Sequence, residues 1–404
     1  MRLKLRVEKL IVGLLVLPPG LGVGTAYARP ELTADLSAST SIATNPYGLG
    51  GNDTESGSAT VSISPLITDR SAKGSFRLQG RVAHTEYFTR YRSTQSYAVD
   101  TSAVEQLNSK LSIHANAGFD SAVYGSNQLL FPGTDSGGVV DPNLPPVVDD
   151  ITLSGLRERR VSYRAGAGLV FYPTPRDSYS VDLSTFASRY PRRTTALTEY
   201  NNYAGTFGYQ RQIDARTNIG FEGTVSRVDY LGSSQGDATT FSPRLSGSIK
   251  LDPRWSLSGN VGVSITRSTF FGGHTTDTGL AFGMTLCRKG DRSNFCLTGS
   301  RSAQPSSIDG VRTQTSIGAS YNYKIDGKSD IGITGNYARA SKSDSGLSPK
   351  REYVNTRITY NRTLTERLRG YVAAGYNDNY DGLVSRRGNI EGSIGVTLLL
   401  GRSR

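Results

Sequence analysis

Trp255-Ser256-Leu257-Ser258-Gly259-Asn260-Val261-Gly262-Val263-Ser264-Ile265-Thr266 alternates with a period of two. Trp255, Leu257, Val261, Val263 and Ile265 fall on one face, with Ser256, Ser258, Asn260, Ser264 and Thr266 on the other. Successive side chains of a β-strand point to opposite sides, so this segment reads as a strand with one apolar and one polar face. The same alternation recurs in Leu111, Ile113, Ala115, Ala117, Phe119, in Val161, Tyr163, Ala165, Ala167, Leu169, Phe171, and in Ile390, Gly392, Ile394, Val396, Leu398, Leu400. These faces carry no charge, as contact with lipid requires.

Outward from that strand, alternating segments come in pairs joined by short polar turns. The turns fall near Asp69-Lys73, Leu107-Ser109, Thr174-Asp177, Asp214-Thr217, Asp252-Arg254, Arg288-Asn294, Asp326-Lys328 and Thr363-Glu366. Eight hairpins plus a strand at each end predict an all-β, antiparallel up-and-down transmembrane barrel of about 18 strands. An even count puts both termini on the side of the short turns, with longer loops on the other, which is the arrangement of single-chain outer-membrane barrels. Soluble β-sandwiches space their strands similarly, but strands of this length with a polar second face are long for them.

The N-terminus agrees with export. The basic stretch Met1-Arg2-Leu3-Lys4-Leu5-Arg6 leads into apolar Leu10-Ile11-Val12-Gly13-Leu14-Leu15-Val16-Leu17 and then Ala26-Tyr27-Ala28. This is the pattern of a secretory signal peptide over residues 1–28, with residues 29–404 forming the barrel and the mature chain starting at Arg29. No later run of 18 apolar residues is present to make a helical span. A mean hydropathy of −0.36 beside 46 Gly and 22 Tyr suits strands that show alternate residues to lipid and to a wet lumen. Arg2, Lys4, Arg6 and Lys9 against Glu8 carry +3 of the formal +12, leaving +9 for residues 29–404. That balance suits anionic headgroups or an anionic solute, or is plain loop charge.

Cys287 and Cys296 flank one turn and, by parity, both face the lumen, so a cross-strand disulfide stapling the hairpin is expected in an oxidising compartment. The three histidines, His84, His114 and His274, are too few for a zinc site. His114 falls beside Asn116 on the lumen face, yet no G-x-S-x-G elbow accompanies any of them, so catalysis is not expected. Aromatics gather at segment ends, as in Tyr87-Phe88, Phe171-Tyr172, Tyr321 with Tyr323, Tyr376 and Tyr380, which fits two interfacial girdles.

The opening Glu31-Leu32-Thr33-Ala34-Asp35-Leu36-Ser37-Ala38-Ser39, the hairpin Ser58–Pro65 to Phe76–Val82, and the closing Gly392-Ser393-Ile394-Gly395-Val396-Thr397-Leu398 carry a wider likeness. In them the chain resembles the outer-membrane β-barrel porins found with exopolysaccharide synthesis and export clusters in proteobacteria. The resemblance implies a Gram-negative outer-membrane location and transport, with outer-membrane lipids, the barrel-insertion machinery and exopolysaccharide or its periplasmic export components as partners. It supplies no catalytic or binding motif and implies no cofactor, metal or nucleic acid. Barrels of this kind usually end on an aromatic residue; here Leu400 stands in that place, followed by Gly401-Arg402-Ser403-Arg404.

A barrel of 18 strands is wide enough for an aqueous channel or a lumen plugged by its own loops. Parity places Arg77, Arg81, Arg164, Arg357 and Arg369 in the lumen, with Asp120, Asp182, Glu222 and Glu391. Such arginines either favour anions or pair with the carboxylates and fill space. The irregular stretch Phe131–Asp150 is long enough to fold over or into the pore mouth. Passage of polar or anionic solutes or of exopolysaccharide is the leading expectation; a plugged, surface-polymer-binding barrel is the alternative. Mass analysis of the exported protein should give Arg29 as its first residue, and a chain retaining Met1 would remove the signal peptide from the reading.

Overall fold

A computed structural model describes residues 30–51, 54–124, 151–153, 156–192, 197–232, 236–270, 273–308, 310–341, 350–380 and 387–401. The expected signal peptide and the stretch Phe131–Asp150 lie outside the described residues. Eighteen strands form one antiparallel sheet, each paired with its sequence neighbours, and β1 (Glu31–Ala43) closes the ring by pairing with both β2 (Ser56–Arg70) and β18 (Asn389–Gly401). The remaining strands run in order: β3 (Gly74–Tyr87), β4 (Thr94–Asn108), β5 (Leu111–Val123), β6 (Arg159–Phe171), β7 (Asp177–Arg189), β8 (Glu199–Gln212), β9 (Thr217–Leu231), β10 (Ala238–Lys250), β11 (Trp255–Phe270), β12 (Gly273–Lys289), β13 (Ser293–Ser306), β14 (Gly310–Lys324), β15 (Ser329–Ala340), β16 (Arg351–Thr363) and β17 (Leu368–Tyr380).

Following the register from Asp35 through all eighteen pairings returns to β1 displaced by about 22 residues. With strands about 4.8 Å apart and a rise of about 3.3 Å per residue, that stagger means a tilt of about 40° and a barrel radius of about 18 Å. This circumference encloses far more space than the wall's own side chains fill.

The predicted alternation holds around the wall. Leu183, Leu245 and Ile394 on the outer face are 63%, 65% and 59% exposed, so the apolar surface points away from the lumen. All eight predicted short turns join hairpins at the end where β1 begins, at Glu31, and β18 ends, at Gly401. The opposite, outer end departs from the expected long loops at two places: only two positions separate Phe270 from Gly273, where β12 begins, and three separate Ser306 from Gly310, where β14 begins. These two hairpins are as tight outside as inside, so length is concentrated in the other outer connections.

Cys287 and Cys296 sit directly opposite each other on β12 and β13, with Cα atoms 4.1 Å apart and their sulfurs bonded. The β12–β13 ladder then runs only as far as Phe282 opposite Arg301.

The tight turns reuse one device, in which a short polar side chain accepts hydrogen bonds from the amides two and three residues on. Asp214 Oδ1 takes them from Arg216 and Thr217 at 2.6 and 2.8 Å, and Asp252 Oδ1 from Arg254 and Trp255 at 2.6 and 2.7 Å. Backbone amides hold the Asp214 and Asp326 carboxyls below the usual carboxylate range. A depressed folded value stabilises the fold above the unfolded value of about 3.9 and is lost as pH falls through the folded one. The double variant D214N/D326N should therefore unfold at lower urea than wild type at pH 7, with the gap narrowing as pH falls below the unfolded carboxyl value of about 3.9. A gap independent of pH would show that the ionised carboxyls are not what stabilises these turns.

Candidate functional site: the lumen and its outer mouth

The register brings all five predicted arginines to the lumen face but not into one ring. Arg77 and Arg369 stand near the turn ends of β3 and β17, while Arg81, Arg164 and Arg357 lie at mid-strand on β3, β6 and β16. Arg77 donates to Gln79 Oε1 at 2.8 Å. Arg164 is ion-paired with Asp100. Arg357 is opposite Gly375, which is opposite Glu391, and the charge of Arg369 acts on Asp35. Further lumen arginines outside the predicted set include Arg160, Arg244, Arg312 and Arg351, with Arg244 directly across from Glu222. They share the parity signal of the others, and Arg160 stands on the same strand and face as Arg164, so the same parity could have found them.

A rule that the strand pattern does not announce governs these contacts. Arg164 on β6 reaches Asp100 on β4 across Gly118 of the intervening β5. His114 on β5 reaches Asp182 on β7 across Gly168 of β6, with Nε2 and Oδ1 2.7 Å apart. Two strand spacings are about 9.6 Å, a gap that long side chains bridge only if the middle residue leaves the wall bare. A Cβ at Gly118 would lie 2.4 Å from Arg164 Nε, and one at Gly168 would lie 2.3 Å from Asp182 Oδ1. Elsewhere the wall is knit by cross-strand hydroxyl pairs such as Ser37 with Ser62 at 2.6 Å, Thr240 with Thr266 at 3.0 Å and Ser300 with Ser316 at 2.7 Å. Four asparagines, Asn336, Asn355, Asn377 and Asn389, stand side by side on β15 to β18.

The three histidines are dispersed. His84 lies 3.4 Å from Glu86 on the outer face, and His274 lies 3.3 Å from Thr269 at the outer tip of β11–β12. His114 is taken up by Asp182.

Burial changes with depth. The Arg164 and Asp100 side chains at mid-lumen are 41% and 45% exposed, whereas Arg160, Ser188 and Arg312 nearer the outer end are 3%, 0% and 3% exposed. Described pieces of the connection between β5 and β6 explain part of this closure. Ile151 is buried against Ala338, Ala340 and Tyr353 of β15 and β16, on a different sector of the wall from β5 and β6. Leu153 packs with Tyr124 and Tyr190. Arg157, at φ 48°, places its guanidinium 4.9 Å from the ring centres of both Tyr47 and Tyr91. Those two rings and Tyr87 form a cluster with centroids 5.0 to 5.6 Å apart. From another side, Tyr190 donates to Ser307 Oγ at 2.6 Å and the Thr198 amide to the Ser307 carbonyl at 2.7 Å. The β7–β8 and β13–β14 connections thus meet over the mouth. The sequence marks the β5–β6 connection by its length but not Tyr47 and Tyr91, and Tyr87, expected in an interfacial girdle, instead faces inward and packs against both.

No family model and no curated protein matches the sequence. Among solved structures the chain is similar to OprD/Occ outer-membrane porins. With OccK2 (OpdF) of Pseudomonas aeruginosa it shares 10% identity over 93% of this chain and 98% of that one, at a TM-score of 0.48. For OprD of the same organism the figures are 9%, 95%, 100% and 0.47, and for OccAB4 of Acinetobacter baumannii 9%, 93%, 99% and 0.46.

Replacing Gly118 by Ala should cost about 1–3 kcal/mol in urea unfolding, because the new methyl overpacks the Arg164 crossing. In an Arg164→Ala background the same change should cost much less. Equal costs in both backgrounds would mean that the bare wall at Gly118 serves something other than the ion pair.

Proposed function

We propose that the chain is an outer-membrane channel through which small polar solutes cross a wet lumen that narrows at its outer mouth. The observation that carries this reading is the gradient of burial inside an eighteen-strand wall: exposed charge at mid-lumen, buried side chains towards the outer end. A circumference of this size leaves an aqueous path unless inward-folded segments occupy it. Here the described inward segments gather at one end. The outer apolar band supports a membrane setting, and the start of β1, the end of β18 and the tight turns share one side, which supports a periplasmic placement of that side. On this reading the chain is not an enzyme, and its partners are outer-membrane lipids and the barrel-insertion machinery.

Exopolysaccharide, the cargo implied by the sequence resemblance, is a second reading, favoured by Asn336 and Asn355, the two half-buried members of the asparagine row, whose amides match sugar hydroxyls; Asn377 and Asn389 are buried. Block of the channel by a neutral oligosaccharide would separate it from passage of small solutes alone.

The refolded protein in a planar bilayer should give stable conductance steps. Arg157→Ala removes both tyrosine contacts, each worth about 0.5–1 kcal/mol, so the open-to-closed ratio should rise roughly fivefold or more. An unchanged ratio would mean that the Arg157 anchor does not limit the path. A folded barrel that stays silent in both forms would indicate a plugged lumen with a structural role.

A further inference from the structure

The eight tight turns share a feature that neither their length nor their hydrogen bonding demands. Each carries Lys or Arg at the position just before the following strand. Four of these cations, Lys73, Lys110, Arg176 and Arg367, follow the neutral capping residues Ser71, Asn108, Thr174 and Thr365. Three more, Arg216, Arg254 and Lys328, follow Asp214, Asp252 and Asp326. Arg292 completes the set in the β12–β13 turn. Lys and Arg make up 46 of 404 residues, so their presence at all eight equivalent positions is not an effect of composition. Nor does the turn require the charge as a partner for its cap, because it is present where the cap is neutral.

The backbone holds all eight in one geometry. At every turn the carbonyl of the basic residue accepts the amide of the adjoining hairpin, from Gln106 to Lys73 at 2.6 Å through Lys250 to Arg216 at 2.9 Å and Leu399 to Arg367 at 2.8 Å. Each cation thus extends the ladder by one step, on the strand parity that faces the lumen. Its neighbours across the ladder share that parity, and three of them, Lys250, Lys289 and Lys324, are themselves cationic. All eight turn cations are exposed. The carboxylates nearby are Asp214, Asp252 and Asp326, whose oxygens accept turn amides, with Asp177 beside Arg176, Asp291 at 4.0 Å from Arg254, Asp69, Glu105, Glu366 and the lumen residues Glu31 and Asp330.

We infer that this rim is an anion-gathering collar at the periplasmic mouth, so that the solutes drawn into the lumen from that side are anionic. Turns two strands apart at this tilt stand about 12 Å from one another. Their fields overlap at physiological ionic strength, where the screening length is about 8 Å, and separate at 1 M salt, where it is about 3 Å. A ring this wide holds no single small anion. It raises the local anion concentration at the mouth instead.

The collar deepens the channel reading and rests on it, and two measurements keep their failures apart. In a planar bilayer with a gradient of potassium chloride near 0.15 M, wild type should be anion-selective. Replacing Lys73, Lys110, Arg176 and Arg367 by Gln should lower the anion-to-cation permeability ratio at least about threefold, and 1 M salt should abolish the difference. Conductance with unchanged selectivity overturns the collar and leaves the channel standing. The second measurement needs no conductance: the refolded full chain in neutral detergent is eluted by salt from immobilised dextran sulfate. Wild type should elute later than the four-turn variant, while a control neutralising Arg92, Arg227, Arg267 and Arg339 at the outer end should elute close to wild type. Equal retention of wild type and the four-turn variant, or equal loss in the control, overturns the collar even if no current is ever seen.

Discussion

Closure of the backbone hydrogen-bond ladder is the constraint on which this molecule depends. In lipid no water is present to satisfy a strand edge, and each unmet amide or carbonyl costs several kcal/mol. The pairing of β1 with β18 removes both edges at once, and it is a contact between the two ends of the described chain. The tilt, the circumference and the size of the lumen follow from that single stagger.

Once the wall is closed, its two faces solve opposite problems. The outer face needs only apolar bulk. The inner face must hold polar side chains in a defined arrangement without a packed core behind them. It does so with lateral pairs: hydroxyl to hydroxyl between adjacent strands, and Arg164 to Asp100 or His114 to Asp182 across a bare glycine between alternate ones. Because Arg164 is matched by Asp100 and Arg244 stands across from Glu222, mid-lumen charge is largely balanced. The excess of cations lies at the turn rim, where side chains remain in water and carry little desolvation cost. Arg157 meets the opposite condition, held between two tyrosine faces at the outer mouth, where aromatic surface replaces some of its water.

Several parts of this arrangement were legible in the residue order. Alternation in Trp255–Thr266 and its counterparts gave strands and facing, because a period of two is a local property of extended chain. The eight turns were legible from their polar composition, and the shared face of Cys287 and Cys296 from parity alone. The same parity runs through the five arginines. Loop lengths were less transparent: parity does not reveal that β11–β12 and β13–β14 turn as tightly outside as inside.

Sequence by itself determined which residues face lipid and which face the lumen, where the hairpins turn, and that a cation stands before eight of the strands, since all of these are set by neighbours a few positions apart. The three-dimensional structure alone decided which lumen charges meet. Whether Arg164 reaches Asp100, sixty-four positions away, depends on the register of two successive ladders and on the absence of a side chain at Gly118 between them. In the same way, only the folded barrel brings Ile151 to Tyr353 and Arg157 to Tyr47. Those contacts join segments distant along the chain that a closed ring makes neighbours across its mouth.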